Sequence, residues 1–280
     1  MSKNILITGT SSGIGFCCAK LFADFGHTVF AGVRAENDFE KLQNLSTNIK
    51  PIFLDVLDDN SINSAVKELK NRNIELEVIL NNAGAVIAQP IECINIDDLR
   101  YQFEINTIAP VKIAQAFMPL MKSGKIINIS SMSSSGIFPY IAPYCASKRA
   151  LDILFNSMSI ELKNKDIKIV SIKPGSIKTP IWNKSIVNNQ KSLDKLSVEF
   201  KKKYEKDLVF LAQNAESNNY NAIEPIKVAK KILRIIQDKK VKSSYCIGLD
   251  SHFACLIGKL PQDMLNSIIK FQLKRKLKKV

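Results

Sequence analysis

Short runs of apolar and β-branched residues recur along the chain, and longer stretches with helical spacing separate most of them. The runs cover residues 4–8, 28–33, 52–54, 78–81, 125–130, 168–173 and 244–247. They are continuously apolar rather than alternating, which is typical of a parallel sheet covered by helices on both faces. The pattern therefore predicts an α/β fold with a doubly wound, mostly parallel sheet of the Rossmann-like type, in a single domain over residues 1–280.

One long segment interrupts this rhythm. Residues 181–223 contain no strand run and carry several aromatic residues among many lysines, and the apolar positions of residues 194–212 have helical spacing. An insertion of this length in a compact domain usually serves a function. We expect a helical lid over a substrate site, with a packed surface subdomain as the alternative.

Length and composition indicate a globular protein. The chain has 280 residues, of which 46% are hydrophobic and 24% charged, as expected for a domain with a well-buried core. No apolar run approaches the roughly 18 residues that a membrane-spanning helix needs. The apolar run at residues 5–7 is too short for a signal peptide. We therefore expect a soluble, cytoplasmic protein.

The inventory of metal ligands is poor. The six cysteines show no C-x-x-C spacing, and the only histidines are His27 and His252. Neither a zinc site nor a disulfide framework fits this set. We expect reduced cysteines and no metal site.

The positive charge is concentrated in the C-terminal part of the chain. Residues 1–180 hold 19 Lys/Arg against 17 Asp/Glu, whereas residues 181–280 hold 21 against 9, and the net charge is +14. Because 34 of the 40 basic residues are Lys, whereas base readout favours Arg, no nucleic-acid partner is expected. Residues 259–280 form a basic extension in which apolar and basic positions interleave. Such a helix can contact an anionic membrane surface; alternatively, it closes the fold or covers the mouth of the substrate site.

A glycine-rich turn follows the first predicted strand and opens the first predicted helix. Gly9 permits a tight turn, Gly13 lets the backbone approach a pyrophosphate, and Gly15 allows close packing of helix on sheet. The free N–H groups at the start of the helix favour phosphate binding. The spacing, G-x3-G-x-G, differs from the G-x-G-x-x-G fingerprint of other dinucleotide sites. We expect the cofactor to contact the residues of this turn, Gly9, Ser11, Ser12, Gly13, Ile14 and Gly15.

This turn resembles the first βα turn of the short-chain dehydrogenase/reductase family, and further motifs of that family follow in the same order. The resemblance covers residues 3–180 and is loose beyond them. It implies an NAD(P)-dependent oxidoreductase and a set of further cofactor contacts. These are Asp55 and Val56 at the adenine, Asn82, Ala83 and Gly84 of an NNAG motif on the adenosine side, and Pro174, Gly175, Ile177 and Thr179 around the nicotinamide.

Tyr144 and Lys148 match the family's Y-x-x-x-K signature, and both are expected to touch the cofactor. Residues i and i+4 share one face of a helix, so the Lys148 ammonium can sit beneath the Tyr144 ring. A nearby cation favours the phenolate and lowers the pKa of a tyrosine from its usual value of about 10. We expect Tyr144 to exchange a proton with the substrate oxygen while hydride moves to or from the nicotinamide.

The resemblance implies two further catalytic residues. Ser131, which lies thirteen residues before Tyr144, matches a serine that hydrogen-bonds the substrate oxygen as charge develops there. Neighbouring serines make the assignment ambiguous by position alone, but the family's offset selects Ser131. Asn106 matches the asparagine that holds a water molecule between Lys148 and solvent.

The choice between the two dinucleotides depends on the end of the second predicted strand. NAD-specific members of the family carry an Asp there, whose carboxylate accepts the ribose hydroxyls and repels a 2′-phosphate. In this chain Val33 takes that position and Arg34 follows it. A guanidinium can pair with the 2′-phosphate in a bidentate contact. We expect NADP(H) to be preferred, with NAD(H) as the alternative.

The long lid and the C-terminal extension are similar to those of hydroxysteroid- and retinol-dehydrogenase-like members. The resemblance therefore implies interconversion of a secondary alcohol and a ketone on a bulky apolar small molecule that is steroid-, retinoid- or lipid-like. Two alternatives are a 3-oxoacyl thioester reductase and a non-catalytic dinucleotide-sensing protein, although such sensors commonly lack the Tyr–Lys pair. Family analogy also implies a homodimer or homotetramer assembled through the helices that carry Asn106 and Tyr144.

Overall fold

A computed structural model describes residues 2–162, 165–181, 197–207, 209 and 222–277. Seven parallel strands form one sheet in the order β3-β2-β1-β4-β5-β6-β7. The strands are β1 (Asn4–Ile7), β2 (Thr28–Val33), β3 (Ile49–Phe53), β4 (Val78–Asn81), β5 (Ser123–Ile129), β6 (Asp166–Pro174) and β7 (Ser244–Ile247). The doubly wound parallel sheet predicted from the sequence is confirmed.

Ten α-helices have both ends within the described part of the chain. They are α1 (Gly13–Asp24), α2 (Glu36–Gln43), α3 (Asp59–Asn71), α4 (Ile96–Phe103), α5 (Ala109–Phe117), α6 (Ala142–Glu161), α7 (Val198–Lys203), α8 (Pro225–Gln237), α9 (Leu249–Ile257) and α10 (Gln262–Leu277). A π-helical turn, Glu104–Ile108, joins α4 to α5, and a 3₁₀ turn, Met132–Ser135, follows β5. None of these helices has both the length and the hydropathy that crossing a bilayer requires.

The third strand differs from its predicted bounds. The apolar run predicted a strand at 52–54, whereas β3 begins at Ile49 and ends at Phe53. The sequence pattern does not predict the first half of the strand, because neither Lys50 nor Pro51 is typical of a buried strand. Proline is tolerated here because β3 forms an edge of the sheet and pairs with β2.

Apolar side chains cover both faces of the sheet. Phe22 of α1 and Ile232 of α8 are fully buried on one face. Leu69 of α3, Phe117 of α5 and Phe155 of α6 are fully buried on the other. This burial explains why the strand runs are continuously apolar.

The sheet reverses its winding direction between β1 and β4. From β1 the chain proceeds outward through β2 and β3, and then returns to β4 on the other side of β1. Ligands of open α/β sheets bind in the crevice that such a reversal leaves at the carboxyl ends of the strands. The predicted site residues are gathered along this edge.

Candidate active site

The glycine turn after β1 adopts a conformation that requires glycine. Gly9 and Gly13 have φ angles of +69° and +60°. A Cβ at Gly9 would lie 2.9 Å from the Cα of Ala83, and one at Gly15 would overlap the carbonyl of Gly9. The chain therefore turns tightly at the crevice and begins α1 with its N-terminus facing the cavity, as anion binding needs.

Asn82 ties the NNAG motif to this turn. Its side-chain amide donates to the carbonyls of Thr8 and Gly9, both at 2.9 Å. The Thr8 hydroxyl in turn accepts from the backbone N–H groups of Asn82 and Ala83, each at 3.0 Å. The ends of β1 and β4 are thus fixed to one another where the crevice opens.

Arg34 lies at the rim of the same crevice. It follows the last residue of β2, its side chain is about two-thirds exposed, and its guanidinium is 4.0 Å from the Asp55 carboxylate. Arg34, Asp55 and Val56 all line the cavity. An exposed guanidinium at this place can meet an anionic group on a bound nucleotide.

The four predicted catalytic side chains converge at the carboxyl ends of β4 and β5. Ser131 follows β5 and hydrogen-bonds the phenol of Tyr144, which lies in the first turn of α6. The Lys148 ammonium, one turn further along α6, donates to the carbonyl of Ile129 at 2.8 Å. Asn106 lies in the π-helical turn and donates to the carbonyl of Ala85 and the hydroxyl of Ser147, at 2.9 and 3.1 Å.

Gly84 shows how closely these groups approach one another. A Cβ on this residue would lie 2.9 Å from Oδ1 of Asn106 and 3.5 Å from Nζ of Lys148. A side chain at this position would crowd the Asn106 amide and the Lys148 ammonium, so the position requires glycine. The last glycine of the NNAG motif is therefore part of the same cluster.

The pKa of Tyr144 shifts in the direction opposite to the expectation. Burial raises the pKa of Tyr144 to about 12, and the hydrogen bond from Ser131 offsets only part of that rise. The expected lowering by Lys148 is not found in the protein alone, because burial disfavours both charged forms: it also lowers the pKa of Lys148 to about 8. Burial therefore favours the protonated form of the Tyr144 phenol in the protein alone.

A buried ion pair lies one helical turn from Lys148, and the sequence did not predict it. Asp152 lies one turn after Lys148, is buried, and is paired with Lys173 of β6 at 2.9 Å. Its negative charge raises the pKa of Lys148, against the effect of burial. The i+4 spacing of Tyr144, Lys148 and Asp152 is a signal that could have indicated this residue.

The loop after β6 is held by a residue that is distant in sequence. The Asp250 carboxylate accepts from the backbone N–H of Ser176 at 2.6 Å. A Cβ on Gly175 would overlap this carboxylate, and one on Gly13 would lie 3.1 Å from Cγ2 of Thr179. Pro174, Gly175, Ile177 and Thr179 line the cavity opposite the glycine turn. No local pattern marks Asp250, which lies more than seventy residues further along the chain.

These elements enclose a cavity of about 1530 Å³. One half is formed by the glycine turn and the ends of the strands. The other half is mostly apolar, and it is lined by Val86, Ala88, Ile137, Phe138, Ile181, Val198, Phe253, Ala254, Ile257, Leu265, Ile268, Ile269 and Leu273. Within the described residues, no group of three or more Asp, Glu, His and Cys side chains is placed to hold a metal ion.

The described part of the predicted lid lines this apolar half. Helix α7 lies within the segment 194–212 and contributes Val198, and Val209 also lines the cavity. Tyr140, which precedes the catalytic helix, hydrogen-bonds Asp207, and Lys203 pairs with Glu92 at 2.8 Å. Residues 182–196, 208 and 210–221, which include most of the predicted lid, lie outside the described residues.

Helix α10 settles one question about the basic extension. Its apolar residues Leu265, Ile268, Ile269 and Leu273 line the cavity, whereas Lys270 is exposed on another face. The spacing of these apolar residues is that of a single helix face. The helix therefore forms part of the cavity wall, a position that suits the interpretation in which the extension covers the mouth of a substrate site.

Comparison with known proteins places the chain in a family. The model of the short chain dehydrogenase family matches residues 3–191. The chain belongs to this family and is therefore an oxidoreductase that acts on CH–OH groups with a nicotinamide dinucleotide.

Two relatives and one solved structure illustrate the similarity. The chain is 33% identical to an NADPH-dependent 3-dehydrocapnine reductase of Ornithobacterium rhinotracheale over 190 residues, which are 64% of this chain and 67% of that protein. It is 29% identical to estradiol 17-beta-dehydrogenase 2 of Mus musculus over 288 residues, which are 96% of this chain and 74% of the relative. A short-chain dehydrogenase structure from Streptomyces avermitilis matches with a TM-score of 0.76 at 21% identity and covers 98% of this chain and 95% of its own.

The pKa of Lys148 leads to a prediction about pH dependence. We expect kcat/KM for carbonyl reduction to fall as the pH rises through about 8, because Lys148, which we expect to favour the charge that develops on the substrate oxygen, then loses its proton. Asp152→Asn removes a negative charge that raises this pKa, so the fall moves to lower pH, by about one unit. The measurement is the initial rate of NADPH consumption at a series of pH values from about 5.5 to about 10, a range that includes the expected fall.

Two matched variants separate charge from structure. Lys173→Gln breaks the same ion pair but keeps the Asp152 carboxylate, so it leaves the fall at or above its original pH. Asp166→Asn removes an exposed carboxylate of β6 and changes nothing. An unchanged pH profile in Asp152→Asn contradicts the assignment.

Proposed function

We propose that this protein is an NADPH-dependent reductase that converts the ketone of a bulky apolar substrate into a secondary alcohol. The observation that carries the proposal is the buried Tyr144 phenol, hydrogen-bonded to Ser131 at the border between the dinucleotide half and the apolar half of the cavity. A phenol in this position can give its proton to a substrate oxygen during reduction.

Each residue of the cluster has a distinct role in this proposal. A reduced nicotinamide supplies the hydride. Tyr144 gives its proton to the substrate oxygen as negative charge develops there, and Ser131 stabilises that charge by a hydrogen bond. Lys148 provides a positive charge one helical turn from Tyr144. Asn106 donates a hydrogen bond to Ser147, which fixes the π-helical turn against α6 and keeps the region around Lys148 polar.

Replacement of the tyrosine tests this function. Tyr144→Phe keeps the ring and its packing but removes the transferable proton, so we expect turnover to fall by about 10² to 10⁴. The measurement is the decrease in reduced-nicotinamide absorbance with a panel of steroids, retinoids, acyl thioesters and sugars. Tyr245→Phe is the matched control, because it removes a tyrosine hydroxyl outside the cavity lining and leaves the proton donor in place. Retention of more than about a tenth of the turnover in Tyr144→Phe excludes the assigned role.

The preference for NADP(H) rests on Arg34. Val33 stands where a carboxylate would repel a 2′-phosphate, and the exposed guanidinium of Arg34 follows it at the rim of the cavity. Asp55 at 4.0 Å is too distant to engage the guanidinium fully. The relative from Ornithobacterium rhinotracheale is itself named as NADPH-dependent. NAD(H) remains the alternative cofactor.

Arg34→Ala should weaken NADPH far more than NADH. The loss of a charged hydrogen bond corresponds to roughly 1.5–3 kcal/mol in the affinity for NADPH. The two dissociation constants can be measured by quenching of protein fluorescence. Arg100→Ala, which removes an exposed arginine of α4, should change neither. Equal affinities of the unaltered protein for NADH and NADPH contradict the preference.

The apolar half of the cavity supports a bulky apolar substrate. Its lining comes from four separate parts of the chain and includes Phe138, Phe253 and several Ile and Leu side chains. A mouse relative is named for its action on estradiol, a molecule of this kind. A 3-oxoacyl thioester is the second candidate, because the exposed ammonium of Lys202 at the cavity edge suits the phosphates of a thioester carrier. A non-catalytic dinucleotide sensor is disfavoured by the intact Tyr144–Lys148 pair.

We also propose a homodimer or homotetramer that assembles through the helices around the catalytic cluster. Apolar side chains are exposed on these helices: Tyr101 on α4, Ile108 before α5, and Ile153, Leu154 and Ile160 on α6. An exposed apolar patch of this kind is typical of a subunit interface. The sedimentation coefficient of the protein in solution would measure its assembly.

Peripheral membrane contact remains a proposal for the outer surface of α9 and α10. Leu249, Leu256 and Phe271 are exposed there beside Lys270 and Lys274. The charge-reversed variant Lys270→Glu/Lys274→Glu should lose salt-sensitive binding to anionic vesicles, whereas Lys67→Glu/Lys70→Glu on α3 should keep it. Co-sedimentation is the measurement. If the unaltered protein does not bind the vesicles in low salt, membrane contact is excluded, and a cytoplasmic location remains as predicted.

A further inference from the structure

Two cysteines are in contact beside residues that line the apolar half of the cavity. Cys246 lies in β7 and Cys255 in α9, and their sulphur atoms are 2.9 Å apart. A disulfide bond is about 2.05 Å long, so bond formation needs an approach of less than about 1 Å. Gly248, with a φ angle of +103°, makes the turn that folds α9 back beside β7. The backbone therefore already presents the two thiols to one another.

Polar groups lie close to the two sulphur atoms. The Cys255 sulphur is 3.3 Å from the hydroxyl of Ser135, and this hydroxyl accepts from the Lys173 ammonium at 3.4 Å. Lys173 is paired with Cys246 across β6 and β7. The lysine charge lowers the pKa of the Cys246 thiol, although burial and the contact with Cys255 raise it more. The thiolate is the reactive form, and a nearby cation stabilises it.

Exposure distinguishes this pair from two of the other cysteines of the chain. Cys246 and Cys255 are half-buried and therefore partly accessible to solvent, as are Cys17 and Cys93. Cys18 and Cys145 are buried, and burial raises the pKa of both thiols. The pair is thus both preorganised and accessible.

We propose that Cys246 and Cys255 are a reversible thiol modification site, which closes to an intrachain disulfide across the β7–α9 junction. Glutathione disulfide is an oxidant of the required class. The thiolate of one cysteine attacks it, a mixed disulfide forms, and one glutathione thiolate leaves. The second cysteine then loses its proton and attacks the protein sulphur, which expels the second glutathione. The two protein thiols lose two electrons and two protons, and glutathione disulfide becomes two thiols.

The position of the pair gives the disulfide a structural consequence. Helix α9 contributes Phe253 and Ala254 to the apolar half of the cavity. Its first turn carries Asp250, whose carboxylate accepts a hydrogen bond from the backbone N–H of Ser176. The disulfide would join this helix covalently to β7 and close a short loop that contains Asp250. Cross-linking of a loop reduces the freedom of the unfolded chain. We therefore expect the oxidised protein to melt at a higher temperature than the reduced protein.

The two cysteines can be followed on one peptide. The sequence has no Lys or Arg between Lys242 and Lys259, so trypsin releases both cysteines together. The full-length protein is equilibrated in glutathione buffers from about −300 to −180 mV, a span that covers reducing and oxidising compartments. After alkylation and digestion, the oxidised peptide should carry no alkyl group and should be lighter than the dithiol peptide by two hydrogen atoms. Reduction with dithiothreitol before alkylation should make both cysteines alkylatable again.

Variants identify the bond. Cys246→Ser and Cys255→Ser should each abolish the change on this peptide and the redox dependence of the melting temperature. Cys93→Ser, which alters a half-buried cysteine elsewhere, should behave as the unaltered protein. The proposal is overturned if both thiols stay alkylatable in the most oxidising buffer, or if the disulfide that forms joins another pair.

Discussion

The burial of one ammonium group sets the requirements that the rest of the site meets. Lys148 is only 5% exposed, and a charge removed from water is costly unless other groups compensate it. The carbonyl of Ile129 accepts a hydrogen bond from it at 2.8 Å, and the carboxylate of Asp152 supplies a negative charge one helical turn away. Because Asp152 is itself buried, Lys173 is needed in turn. One buried charge thus makes α6, β5 and β6 mutually dependent.

The sequence predicted those parts of the site that are encoded locally. The glycine turn, the NNAG motif and the Tyr–Lys pair each occupy a few consecutive residues, and the parallel sheet brings them together because its strands end at one edge. Local encoding also explains the bounds of most strands. It fails for β3, where Pro51 interrupts the apolar run, since only the fold shows that this strand is at an edge.

Two further features depend on contacts that no local pattern contains. Lys173 and Asp250 reach the site from distant parts of the chain, so neither could be predicted from spacing. The pKa of Tyr144 is raised, and not lowered as the sequence had predicted, for a related reason. Spacing indicates that a lysine is near, but the balance between its attraction and the cost of burial depends on how much protein surrounds the phenol, and here burial is the larger effect.

The two halves of the cavity are connected through a single carboxylate. Asp250 holds the backbone N–H of Ser176 in the loop expected at the nicotinamide, and it occupies the space that a side chain at Gly175 would take. Asp250 lies in the first turn of α9, and the following turn contributes Phe253 and Ala254 to the apolar half of the cavity. A displacement of α9 by a substrate would therefore move the same carboxylate that fixes the cofactor loop. The requirement for glycine at position 175, which looks like a property of a turn, is a consequence of this packing between distant segments.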